Sequence, residues 1–179
     1  MDFRSWIKSR GVAFWLTLST VVLGIVGLIL YGVALRSGMG LSIANGSQPF
    51  YQADRDEDRV MIATVLPCAL VALLALVGSV VLEAFSGKGG TAGKVMNIVA
   101  DALRVAAPIL LLVVTINFVY GSFTGLGWTF FSNAELAIYP KAIATGKAVI
   151  TGIVFFLVAA IVSVVSSFFS LHKPEAKAE

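Results

Sequence analysis

Four long apolar blocks organise the chain. Residues 11–35, 60–82, 105–134 and 148–171 contain no Asp, Glu, Lys or Arg. A bilayer core about 30 Å thick needs roughly 20 helical residues, so every block is long enough to cross it. The blocks predict transmembrane helices over about 12–35, 60–85, 95–120 and 140–171. The stretches between them predict outer loops at 36–59 and 121–139 and a glycine-rich inner loop at 86–94. The expected fold class is all-α: a polytopic membrane protein, a four-transmembrane-helix bundle occupying 12–171.

The flanks of the pattern add detail. Phe3, Trp6 and Ile7 share one helical face while Arg4 and Lys8 share the other, so residues 1–11 read as an amphipathic interfacial segment. The first block is far longer than the 7–15-residue core of a cleaved signal peptide, and it reads as a retained helix. Pro140 suits the first turn of the last helix. Pro108 interrupts the backbone ladder of the third and is a candidate kink. The polar stretch 172–179 predicts a disordered cytoplasmic tail.

Composition agrees with the pattern. Of 179 residues, 58% are hydrophobic and 13% charged, with a mean hydropathy of +0.93. A soluble domain holds about 45–50% apolar and about 25% charged residues. The net charge of +3 forms no basic run, which points to membrane lipids as its partner and not to nucleic acid. Cytoplasmic flanks retain Lys and Arg. With the N-terminus inside, the inner segments hold eight of them and the outer segments five. The expected topology is N-in/C-in in the cell membrane, multi-pass, with both termini cytoplasmic.

Reactive chemistry is sparse. The single cysteine, Cys68, and the single histidine, His172, make neither a disulfide nor a Cys/His metal site. A phosphate-binding loop needs Gly five positions before Gly93-Lys94 and a hydroxyl after; Lys88 and Val95 stand there. The alternating acids Asp54, Asp56 and Asp58 resemble the front of a calcium loop. The required Gly and Glu are replaced by Arg59 and Val65. Asp58 reads instead as the N-cap of a helix starting near Val60. Asn45-Gly46-Ser47 fits a glycosylation acceptor. With no nucleophile–base pair, no metal cluster and no intramembrane carboxylate, the expectation is no enzyme, no cofactor and no metal.

The remaining candidates concern contacts. Glu83, Asp101 and Arg104 fall at the inner ends of the second and third helices and read as an interhelical clasp. Asn117 is a candidate intramembrane polar contact to a neighbouring helix, and Lys147 can snorkel outward. Small residues at four-residue spacing mark helix-packing or partner faces: Thr20 and Gly24; Ala75 and Ser79; Ala144, Ala148 and Gly152; Ala159, Ser163 and Ser167. Phe123, Trp128, Phe130, Phe131 and Tyr139 form a candidate aromatic contact on the outer leaflet.

The four-span outline resembles that of claudins and tetraspanins, but those carry cysteines in their outer loops and this chain has none there. Four-span thiol oxidoreductases need paired cysteines, which are also missing. The functional expectation is a non-catalytic membrane scaffold or accessory subunit, associating with itself or another membrane protein. The alternative is a small transporter or oligomeric channel component.

Overall fold

The computed structural model describes residues 10–37, 42–43, 48–49, 56–86, 90–131 and 140–169. In chain order these form α1 (Val12–Ser37), β1 (Ser42–Ile43), β2 (Gln48–Pro49), α2 (Asp56–Ser86), α3 (Gly90–Phe131) and α4 (Pro140–Ser167). The described part is helical apart from the short antiparallel pair, in which Ser42 faces Pro49 and Ile43 faces Gln48. All four helices are long and apolar enough to cross a membrane. The proposed interfacial segment, the Asn45 acceptor and the tail lie outside the described residues, except that Arg10 and Gly11 are described.

Several boundaries depart from expectation, the end of α4 at Ser167 and not near 171 among them. α2 begins at Asp56, so Asp58 stands inside the helix and is not its cap. The larger departure is α3, with 42 residues from Gly90 to Phe131. At 1.5 Å per residue it is about 63 Å long. Helix therefore replaces the end of the expected inner loop and the first half of the expected outer one. Gly90, with φ of 81°, takes the turn conformation from which the helix leaves.

The C-terminal extension of α3 is held by one buried row of residues. Phe118, Ser122, Gly125 and Thr129 recur at helical spacing and are all buried. Thr129 and Phe130 approach Gly146 of α4 so closely that a Cβ there would lie 2.7 Å from the Phe130 ring. Of the glycines that look like loop formers in the sequence, Gly121 and Gly125 are buried, whereas Gly127 meets nothing within 4 Å. Ser122 Oγ donates to Phe118 O within the same helix, satisfying its hydroxyl.

α2 lies mainly against α3, α1 against α4, and α3 against α4, whereas α1 and α2 touch sparsely. The shared core draws on all four helices, with Tyr31, Val65, Leu111, Phe118, Val149 and Phe156 among its members. Phe118 stands edge-on between Tyr31 and Phe156, with ring centroids 5.5 and 6.3 Å away. Tyr31 Oη donates to Ile62 O at 2.9 Å and links α1 to α2. The outward faces are aliphatic: Ile29, Leu74, Ile98 and Ile116 are each at least 60% exposed, while Ala, Thr and Ser populate the interior. Small and hydroxylated residues inside with bulky aliphatics outside is the distribution expected of helices packed in lipid.

Candidate functional site

Polar side chains gather where the start of α1, the end of α2, the first half of α3 and the end of α4 meet. Arg104 is the centre of this group. It is 8% exposed, although uncharged sequence follows it to residue 134. An ionised guanidinium buried among apolar helices requires acceptors. Arg104 Nη2 donates to Ser166 O at 2.6 Å and to Phe169 O at 2.8 Å.

Those carbonyls belong to the last turn of α4 and to the turn just after it, where backbone acceptors lack intrahelical partners and the dipole favours a cation. The final turn tightens as well, with Phe168 N and Phe169 N donating to Val165 O and Ser166 O at 3.2 Å each. Ser167 Oγ returns a 3.2 Å bond to Arg104 O. Ser166 Oγ donates to Ala13 O of α1 at 3.2 Å and lies 2.9 Å from Thr17 Oγ1. The end of α4 is therefore tied to α3 by Arg104 and to α1 by Ser166. These bonds also place the start of α1 and the end of α4 at the same end of the bundle.

The expected Glu83–Asp101–Arg104 clasp is thus differently joined. Asp101 Oδ1 lies 3.8 Å from Arg104 Nη1 within α3, and its side chain is 75% exposed. Such an exposed pair contributes little. Glu83 of α2 lines the same cleft. The guanidinium, however, makes its hydrogen bonds to α4 and not to α2. The cleft, about 470 Å³, is framed by Glu83, Asn97, Asp101, Arg104, Ser167 and Phe168. Arg104 Nε is buried with no hydrogen-bond partner. Among the described residues no three His, Cys, Asp or Glu side chains are grouped to hold a metal ion.

The other candidates are distributed. Asn117 Nδ2 donates to Thr64 Oγ1 of α2 at 2.8 Å, and Thr64 Oγ1 donates in turn to Met61 O at 2.7 Å. Thr20, Gly24, Ala75, Ser79, Gly152, Ala159 and Ser163 are buried within the bundle, and Ala148 and Ser167 are half-buried. Of these small residues only Ala144 is exposed. On the extension of α3, Phe123 and Phe131 are 72% and 85% exposed, whereas Phe130 is half-buried against α4. Trp128 lies on the same helix, and Tyr139 falls outside the described residues. Cys68 is a free thiol packed beside the core.

Sequence reading missed Ser166, Thr17 and Arg10. Arg10 is 7% exposed, with its guanidinium 5.3 Å from the Phe14 ring. The available signal was a hydroxyl pair, Ser166-Ser167, closing an apolar block opposite the Thr17 of another. Comparison of the chain with protein-family models, curated proteins and solved structures finds no match.

Proposed function

We propose that this chain is a non-catalytic membrane scaffold or accessory subunit, placed N-in/C-in in the cell membrane, that binds a membrane protein through the far end of α3. One observation carries the reading. Phe123 and Phe131 stand exposed on a helix whose opposite face, Ser122, Gly125 and Thr129, is packed away. Large exposed aromatics on a well-braced helix are the usual anchors of a protein contact. The small-residue rows are engaged inside the bundle, which narrows the contact to this aromatic end. Among the described residues, the long-range polar bonds join helix to helix, and none pairs a nucleophile with a base.

A photo-crosslinking residue placed at 131 tests this in native membranes. The expected result is one discrete adduct, either a dimer of the chain or a single heterologous membrane protein, lost in Phe123→Ala. Absence of any adduct, together with a lone monomer on purification, would overturn it. Reporter fusions at both termini check the orientation, and an outside reading at either would sink that part.

A transport reading rests on a different feature, the 470 Å³ cleft with its three ionisable residues. It expects solute flux in proteoliposomes that weakens in Arg104→Ala or Asn117→Ala. Flux equal to that of empty liposomes removes it.

A further inference from the structure

Pro108 lies inside α3 and is buried there. A proline has no N–H, so the helix lacks the bond that residue 108 would make to the carbonyl of residue 104. That carbonyl is Arg104 O, the acceptor that Ser167 Oγ of α4 reaches at 3.2 Å. A neighbouring helix thus supplies the donor that the proline withholds. The same α3 residue sends its guanidinium to Ser166 O and Phe169 O. Backbone and side chain of Arg104 are both fastened to the end of α4, one turn before a break in the ladder of α3.

The two sides of this break are held differently. On its C-terminal side Leu111, Val114, Thr115 and Phe118 follow one another into the core. On its N-terminal side, from Gly90 to Leu103, only Gly93 and Ala100 are buried, and Val95 and Ile98 are 55% and 69% exposed. These 14 residues form an arm about 21 Å long. The end of α2 lies beside the arm without crowding it, since even a Cβ at Gly78 would stand 3.7 Å from Leu103. α2 carries a proline of its own, Pro67, so neither helix of this hairpin has an unbroken ladder.

Both parts of the fastening have an alternative at hand. Ser167 Oγ has one proton and two acceptors, Arg104 O and, at 3.0 Å, Ser163 O of its own helix. The Arg104 guanidinium stands 3.8 Å from Asp101 Oδ1, one turn back along the arm. When the arm leaves α4, Ser167 keeps a bond within α4 and the guanidinium turns to the exposed carboxylate of Asp101. Only Arg104 O is then left without its donor.

We propose that Pro108 is a hinge and that Arg104 and Ser167 form its latch, setting how far the arm stands from the end of α4. Hinges are a few residues that absorb a change of backbone angle between packed bodies, and helix kinks concentrate at proline. Asn97, Ala100 and Asp101 of the arm and Ser167, Phe168 and Phe169 after the latch line the 470 Å³ cleft from two helices. The latch therefore sets the width of that cleft. It is independent of the partner contact proposed at Phe123 and Phe131.

The test is the distance between spin labels at Val95→Cys on the arm and Val164→Cys on α4, in the full chain with Cys68→Ala, reconstituted in liposomes. A mainly closed distribution is expected. Ser167→Ala should add a longer distance and shift the open-to-closed ratio by about fivefold, the factor for one hydrogen bond. Ser167→Thr, which keeps the hydroxyl, should match the parent. Pro108→Ala returns an N–H to Arg104 O, and in that background Ser167→Ala should leave the distances unchanged. An unaltered distribution in Ser167→Ala, equal opening in Ser167→Thr, or equal opening with and without Pro108 would overturn the proposal. Where Pro108→Ala does not fold, the contrast of Ser167→Ala with Ser167→Thr decides alone.

Discussion

Arg104→Ala removes two charge-assisted bonds to the end of α4 and leaves Ser166 O and Phe169 O short of a donor. The expected loss is about 2–4 kcal/mol, since each bond to a charged group contributes roughly 1.5–3 kcal/mol and the two share one side chain. Arg104→Lys should recover part of it, because an ammonium supplies charge but not the planar fork. Asp101→Asn should cost under about 1 kcal/mol, as exposed pairs do. Unfolding midpoints in detergent check the order. Asn117 and Thr64 offer a second residue-scale test. Their 2.8 Å bond joins α3 to α2, and a double-mutant cycle with Asn117→Ala and Thr64→Val should give a coupling of about 0.5–2 kcal/mol. A coupling of zero would mean that the bond does not bind the helices together.

Glycine at the element scale plays two opposite parts. Near its C-terminal end α3 meets nothing within 4 Å at Gly127, so an added Cβ has space there. Gly127→Ala should stabilise the extension by about 0.5–1 kcal/mol, because glycine has more backbone freedom to lose. Hydrogen exchange across 121–131 should slow in that variant, and unchanged, loop-like exchange would mean that this stretch is not helical. Gly152 of α4 is different, since a Cβ there would lie 2.9 Å from the Phe118 ring and 3.4 Å from Leu30 Cβ. Phe118 is fully buried between Tyr31 and Phe156 and has no free volume to enter. Gly152→Ala should therefore lower stability by about 1–3 kcal/mol, the usual range for overpacking. Gly24→Ala meets only the tip of Leu73, at 2.6 Å, and a rotamer change there makes it milder.

The whole molecule is tied unevenly. α1 is sequence neighbour to α2 yet packs chiefly on α4, with the Thr17–Ser166 hydroxyl pair at one end and Gly27 against the Phe156 ring. α2 and α3 form the other extensive pair. A chain divided between α1 and α2 should therefore reassemble when the two pieces are co-expressed, because the main docking site of α1 is not on its covalent neighbour. Co-purification of the pieces checks this, and Thr17→Val combined with Ser166→Ala should weaken it. Independent behaviour of the pieces would show that the loop holds α1 in place.

How much of this was legible in advance depended on range. Uncharged length alone located the four helices, because a helix crossing hydrocarbon must satisfy its own backbone and carry almost no charge for about 20 residues. Arg104, Asp101 and Glu83 were also legible as a group, since ionisable residues at the ends of apolar blocks stand out. The end of α3 was not. Gly121, Gly125 and Gly127 carry a loop signal in isolation, and only the approach of α4, at Gly146, turns two of them and their hydroxyl neighbours into a packed face. The partner of Arg104 was hidden for a related reason. Charge complementarity points a guanidinium at Glu83, whereas the folded chain brings it the bare carbonyls at the end of α4, and backbone acceptors have no residue-type signature in sequence. What the sequence by itself determined is where helices span and where charge must stop, because solvent acts on each segment alone. What the tertiary structure decided is which helix each polar group serves, because that depends on neighbours distant along the chain.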